Sequence, residues 1–208
     1  MKVLAINGSP NPQGNTAFAL QTVLNELEKY GIQTEIANIG RKVIRGCAAC
    51  GSCLEQQDRR CFFDDEVNAW LPKLTEADGI LLGSPVYYSG INGTIKSFLD
   101  RAFFVASNNG WLMRHKVGAG VVVARRSGGT ASCEQLNKYF MISEMVVVSA
   151  SYWNIVHGLL PGEAGLDEEG ISTMRILGRN MAWIIQTLDQ KQIERPPIEE
   201  RVFTHFIR

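Results

Sequence analysis

The sequence has no excess charge of either sign: its 208 residues carry 21 Lys and Arg against 21 Asp and Glu. A general nucleic-acid or anionic-membrane binder needs a cationic footprint, so neither class is expected. Long apolar runs are also missing. The longest, around Val117–Ala124, falls far short of the roughly 20 residues that a membrane-spanning helix needs. No basic-then-apolar leader opens the chain, which begins with the strand-like Met1-Lys2-Val3-Leu4-Ala5-Ile6. A cytoplasmic protein is therefore expected, with no membrane and no nucleic-acid partner. There is no internal repeat and no low-complexity tract. With 45% apolar and 20% charged residues the chain is not a disordered one. At about 150 residues per domain its length predicts one domain with room for a small appendage. Five cysteines in a reducing compartment point to ligands, redox groups or core residues rather than a disulfide frame.

What is present is an alternation of strand and helix patterns. Lys2–Asn7 is an apolar run closed by Gly8, a buried strand. Thr16–Tyr30 sets Leu20, Val23, Leu24 and Leu27 on one helical stripe, with Asn15 or Thr16 as cap. Further strands are predicted over Gln33–Ile39, Gly79–Ser84, Lys116–Ala124 and Met145–Tyr152. Further helices are predicted over Asp64–Ala77, Thr94–Val105, Ser132–Phe140 and Asp167–Leu188, with Pro72 kinking the first of these or ending it early. Five strands, each followed by a helix, predict a doubly wound α/β fold. It would have a five-stranded parallel sheet in the flavodoxin-like order 2-1-3-4-5 and helices on both faces. The boundaries that follow are a domain over residues 1–190, with a cysteine-rich insert at 40–63, and a tail over 191–208. The tail opens with Pro196-Pro197 and carries Phe203 and Phe206, which are expected to pack on a neighbouring subunit.

Such sheets bind ligands beyond the carboxyl ends of their strands. The first of those loops, Gly8-Ser9-Pro10-Asn11-Pro12-Gln13-Gly14-Asn15-Thr16, is small and polar and runs straight into a helix N-terminus, an arrangement that suits a phosphate. It has neither the Gly-x-Gly-x-x-Gly of a dinucleotide site nor the Gly-Lys-Ser/Thr ending of a P-loop. No Lys or Arg lies between Val3 and Glu28, so the phosphate would be neutralised by dipoles. An ordinary turn with a helix cap is the competing reading. The loop after the third strand, Gly83-Ser84-Pro85-Val86-Tyr87-Tyr88-Ser89-Gly90, offers aromatic faces and accessible backbone to a flat ring. The loop after the fourth, Ala124-Arg125-Arg126-Ser127-Gly128-Gly129-Thr130, offers backbone donors and a cation. Each of these two also reads as a plain turn, but the three coincide where this fold would use them.

Gly8-Ser9-Pro10 through Gly14-Asn15-Thr16, together with Gly83-Ser84-Pro85-Val86-Tyr87 and Phe98-Leu99-Asp100-Arg101, resembles the NADPH-dependent FMN reductase superfamily of flavodoxin-like proteins over about residues 1–190. The resemblance implies that Ser9, Asn11, Gly14, Asn15 and Thr16 hold the FMN phosphate. It implies that Pro85, Val86, Tyr87, Tyr88, Ser89 and Gly90 line the isoalloxazine ring, and that Arg125, Arg126, Ser127, Gly128 and Gly129 close its other edge. Tyr88 and Arg126 are the candidates for tuning the reduced ring. It further implies a homodimer or homotetramer, with Ser151-Tyr152-Trp153-Asn154 and His157 near the mouth of the site.

Cys47-Ala48-Ala49-Cys50-Gly51-Ser52-Cys53, followed by Cys61, has two, two and seven residues between successive cysteines. Three thiolates at intervals of three can reach different corners of one cubane, and a fourth completes a [4Fe–4S] cluster. Arg41, Lys42, Arg45, Arg59 and Arg60 would offset its negative charge. The spacing resembles the iron–sulfur flavoprotein branch of the superfamily, which passes electrons between such a cluster and FMN. Zinc, a redox-active Cys47–Cys50 pair and a cysteine loop without metal are the competing readings; Cys133 is expected only to pack. The function expected is FMN-dependent oxidation of NAD(P)H with transfer of electrons to a quinone, a flavin or an electron carrier. A non-enzymatic flavin electron carrier or redox sensor acting through a partner protein is the alternative.

Overall fold

The structure is a computed structural model and describes residues 1–190, 194, 196–199 and 204. The N-terminal run forms β1 (Lys2–Asn7), followed by α1 (Asn15–Lys29) and β2 (Gln33–Asn38). After α2 (Ser52–Gln56) and α3 (Glu66–Glu76) come β3 (Gly79–Tyr87), β4 (Gly90–Ile91) and α4 (Gly93–Asn108). The chain continues through β5 (Val117–Ala124), α5 (Gly129–Ile142), β6 (Val146–Val147), β7 (Ile155–His157) and α6 (Glu168–Asp189).

Side chains alternate across a strand, and this alternation splits the core in two. Val3 and Ala5 of β1 and Val117, Ala119, Val121 and Val123 of β5 face the apolar stripes of α1 and α6. Leu4 and Ile6 of β1, Ile80 and Leu82 of β3 and Val122 of β5 face α3, α4 and α5. The central strands are therefore buried on both sides, as the continuous apolar runs predict. Across the α1–α6 contact the buried Glu26 carboxylate binds Lys29 at 2.7 Å and Arg179 at 3.2 Å.

The fold is the flavodoxin-like α/β one, but among the described residues the sheet has seven strands, five on the path β2-β1-β3-β5-β6 with β4 beside β3 and β7 beside β5, not five in the order 2-1-3-4-5. Two local events make the difference. The chain after β3 reverses through Tyr88 and Ser89, both at positive φ, so that β4 pairs antiparallel with the end of β3. This is the geometry of a two-residue hairpin turn. The predicted edge strand Met145–Tyr152 is also broken: β6 pairs with the start of β5, Ser149–Trp153 leaves the sheet, and β7 rejoins β5 at Val122–Ala124. Pro72 does not end its helix, which runs on to Glu76, and α5 extends beyond Ser132–Phe140 at both ends. Gly14, not Asn15 or Thr16, is the N-cap of α1. Phe203 and Phe206 lie outside the described residues. Where the tail is described, the Pro196 and Pro197 carbonyls accept hydrogen bonds of 2.8 and 3.0 Å from Arg114 of the same chain. No helix among the described residues is long and apolar enough to cross a membrane.

Candidate functional site: a cleft beyond the strand ends and a four-cysteine pocket

At the end of β1 the buried Asn7 organises the first loop. Its Oδ1 accepts the Ser9 amide at 3.0 Å, and its Nδ2 donates to Asn38 at 2.9 Å. Ser9 Oγ then accepts from the Asn11 amide, and Asn11 accepts from Gln13 and Gly14. The loop thus spends its side-chain oxygens on its own amides. Gly14, at the N-cap, has no side chain to cap the helix, so the first-turn amides of α1 are left for an external acceptor.

These residues form one wall of a cleft. Ser9, Asn11, Gly14, Asn15 and Thr16 face Pro85, Val86 and Tyr87 from β3 and Arg125 from the loop after β5. All three predicted loops therefore converge. Arg125 also brings a cation that the dipole-only reading of the phosphate loop did not include, and the Arg41 Nε donates to the Pro10 carbonyl from the far side of that loop. The rest of the predicted set lies outside the cleft. Tyr88 and Ser89 form the hairpin tip and Gly90 begins β4, which leaves the Tyr88 ring wholly exposed. Arg126 and Ser127 are exposed in the next loop, while Gly128 packs behind the hairpin. A Cβ on Gly128, whose φ is +85°, would sit 2.8 Å from the Ser89 Cα, so the second and third loops touch here.

Sequence reasoning missed the fourth wall, made by Val123 with Gly158, Leu159 and Pro161. It also gave Asn15 a different task. The Asn15 Nδ2 donates to Leu160 O at 2.9 Å, and its Oδ1 accepts the amides of Gly162 at 3.1 Å and Ala164 at 3.3 Å. Asn15 ties the fourth wall to the phosphate loop. A Cβ on Gly158 would come within 2.8 Å of the Ala164 nitrogen and 3.0 Å of the Asn15 Nδ2, so only glycine fits there. Glu163 closes the same segment by accepting the Leu159 and Leu160 amides, which hold its carboxyl below the ordinary range. His157 stands at the rim, half exposed, with its Nδ1 3.5 Å from the Asp167 carboxylate. Burial works against the charged form of Asp167. The amides of Gly170 and His157 and the imidazole outweigh it and keep the Asp167 pKa low.

The four predicted ligands Cys47, Cys50, Cys53 and Cys61 line a second pocket, together with Phe62, Phe63, Arg101, Phe104 and Val105. None of its lining residues belongs to the cleft. Cys53 is buried in α2, and burial followed by the nearby Cys61, Cys47 and Cys50 sulfurs pushes its thiol up. Among the described residues no group of three or more His, Cys, Asp or Glu is arranged to hold a metal ion. The pocket is held by polar side chains that the cysteine pattern did not reveal. Asn68 of α3 takes both the N–H and the C=O of Cys61, at 2.8 and 2.9 Å. Asn109, just past α4, binds the Cys53 carbonyl and the Arg59 amide. Arg101 of α4 is 1% exposed and donates from Nε and Nη2 to the Cys61 sulfur, 3.2 Å from each. The signal for these three was present: each is a polar residue on a buried helix face or at a helix end. Cys133 is buried on α5, apart from this pocket.

Comparison with known proteins places this geometry. A family model described as NADPH-dependent FMN reductase matches residues 1–159. An iron-sulfur flavoprotein of Methanocaldococcus jannaschii is 36% identical over 195 residues, covering 90% of this chain and 99% of its own. Among solved structures, RosB with a bound riboflavin-5'-phosphate derivative aligns over 100% of this chain and 94% of its own, with a TM-score of 0.73 and 16% identity. A flavodoxin from the domain Archaea aligns over 89% of this chain and 99% of its own, with a TM-score of 0.59 and 16% identity. At such identities these two structures speak for the fold.

Proposed function

The chain belongs to the NADPH-dependent FMN reductase family, beside the iron–sulfur flavoproteins, and from that premise we propose that it binds FMN in the cleft beyond β1, β3 and β5 and oxidises NAD(P)H for a soluble acceptor. The observation that carries the reading is the meeting of three loops in one cleft: an uncapped helix N-terminus, a wall of Pro85, Val86 and Tyr87, and an arginine. When bound, FMN supplies hydride acceptance from NAD(P)H and release of electrons singly or in pairs. The chain's own residues do the rest. The free amides of α1 and the helix dipole take the phosphate charge, with Ser9 and Thr16 as hydroxyl donors. Pro85, Val86 and Tyr87 would offer the ring a largely apolar wall, and Arg125 would bring a positive charge to the same cleft. Tyr88 and Arg126 stay in this reading as groups at the open edge.

Cys47, Cys50, Cys53 and Cys61 are the residues that would hold a [4Fe–4S] cluster, which supplies one-electron storage. Four thiols lining one pocket, in a chain similar to iron-sulfur flavoproteins over nine-tenths of its length, support this reading over a single zinc. The acceptor is a quinone, a free flavin or a redox protein, and the assembly a homodimer or homotetramer with the tail over residues 191–208 as an arm. A carrier that acts only through a partner protein is the second reading, favoured by the exposed Leu54, Phe62 and Phe104 around the cysteines.

The test is an absorbance spectrum with iron and acid-labile sulfide assays on anaerobically purified protein. Flavin bands with about four irons per chain are expected. Flavin without iron would overturn the cluster, and colourless protein that refuses added FMN would overturn the whole reading. Turnover of NAD(P)H with a small quinone favours the enzyme; reduction by ferredoxin alone favours the carrier.

A further inference from the structure

We propose that Arg101 is a positioning residue that sets the reduction potential of the group bound at Cys61, through paired N–H···S hydrogen bonds and a buried positive charge. This rests on the cluster reading above. Arg101 lies on the inner face of α4, between the core residues Phe98 and Ala102, where a charged side chain is costly unless it is fully paired.

Its pairing is complete. Nη1 and Nη2 bind the two Asp65 oxygens at 2.6 and 2.9 Å, and Nη2 and Nη1 reach the Phe63 and Arg45 carbonyls at 3.0 and 3.3 Å. Both remaining contacts, from Nε and Nη2, go to the Cys61 sulfur. The five guanidinium N–H groups meet six acceptor contacts, three of them shared by the two hydrogens of Nη2, so the fork is held from all its sides. The exposed arginines of the insert have no such hold on a sulfur.

Cys61 does not need this arginine for its backbone position, because Asn68 already holds its N–H and C=O. What Arg101 adds is directed at the sulfur. Donors to a ligating sulfur, and positive charge beside it, favour the reduced and more negative state of an iron–sulfur group. Asp65 moderates that charge. It also caps α3 through the Val67 amide, a task that asparagine can keep.

The experiment is a dithionite titration with mediators on the reconstituted full-length protein, followed by electron paramagnetic resonance. Wild type is compared with Arg101→Met, Arg101→Lys and Asp65→Asn, with iron and sulfide counted on every sample. Arg101→Met is expected to shift the reduction equilibrium about tenfold toward the oxidised state, about 59 mV for a one-electron couple. Arg101→Lys should shift it less in the same direction, and Asp65→Asn in the opposite one. Opposite signs are what a loss of packing does not produce. If Arg101→Met fails to retain iron, the other two variants carry the comparison. Unchanged potentials in iron-loaded variants overturn the proposal and leave the cluster standing. Loss of iron from both conservative variants reduces Arg101 to a structural role and also overturns it. Wild type without iron removes the cluster reading itself, and this proposal with it.

Discussion

Asn15 offers a test of what the cleft is made of. A phosphate ligand and a loop clamp predict different things when its side chain is removed. In Asn15→Ala three hydrogen bonds disappear, one to the Leu160 carbonyl and two from the Gly162 and Ala164 amides. Each such bond is worth about 1 kcal/mol net, and the segment is partly exposed, so water replaces some of the loss. A cost of about 2 kcal/mol follows for the apo protein, or roughly 4–8 °C in Tm for a domain of this size. The loss is local to residues 158–164, so hydrogen exchange should rise there and not in β1 or α1. FMN affinity should fall about tenfold as the fourth wall loosens, a cost near 1.4 kcal/mol. Asn15→Asp separates the effects. It keeps the acceptor for the two amides and loses only the donor to Leu160, so apo stability should drop by about 1 kcal/mol or less. It also sets a negative charge beside the phosphate loop, so FMN affinity should fall further than in the alanine variant. Differential scanning calorimetry of apo protein, hydrogen exchange and FMN titration calorimetry read all three quantities. If Asn15→Ala weakens FMN but leaves apo Tm and exchange unchanged, the clamp is refuted and Asn15 is a ligand.

Gly158→Val should lower apo stability by about 1–3 kcal/mol and weaken FMN, because the added carbons meet the Glu163 and Ala164 backbone and press on the Asn15 side chain that clamps the same segment; urea unfolding and FMN titration check this. Cys133→Ser should leave the iron count at its wild-type value, whereas Cys61→Ser should reduce it; iron assays on both after reconstitution decide. Hydrogen bonding to Lys29 leads the effects that hold the Glu26 carboxyl below the usual range, against burial and with help from Arg179. A depressed carboxylate contributes stability that is full above its unfolded value of about 4.3 and is lost as pH falls through the folded one. Its partners are more than half exposed, so the contribution is about 1 kcal/mol. Urea midpoints from pH 7 to pH 3 should therefore fall less steeply in Glu26→Gln than in wild type, and equal slopes would remove Glu26 from acid unfolding.

The parts of the fold that were legible in the sequence are those governed by repeating patterns. β1, α1, β3 and β5 follow from apolar runs and stripes, because central strands buried on both faces leave little room for polar interruption. The departures come where two or three residues decide. A Tyr-Ser pair at positive φ turns the end of β3 into a hairpin, against the usual preference for Asn or Gly at such positions, so the turn carried no signal. The edge strand broke because Ser149–Trp153 is polar and aromatic and needs only one neighbour to pair with. The cleft was visible for a related reason: its loops are conspicuous against the apolar strands that deliver them. Its fourth wall was not, since Gly158, Leu159 and Pro161 acquire meaning only through a contact with Asn15 some 145 positions away. The cysteine pocket divides the same way. Four cysteines declare a donor set by spacing alone, but spacing says nothing of what orients them. That task falls to Asn68, Arg101 and Asn109, polar residues in α3 and α4 or just past it, where burial selects against polar side chains. A buried arginine in an otherwise apolar stripe is thus the most informative residue of its helix, because the cost of placing it there has to be met by a specific partner, and here that partner includes a cysteine sulfur.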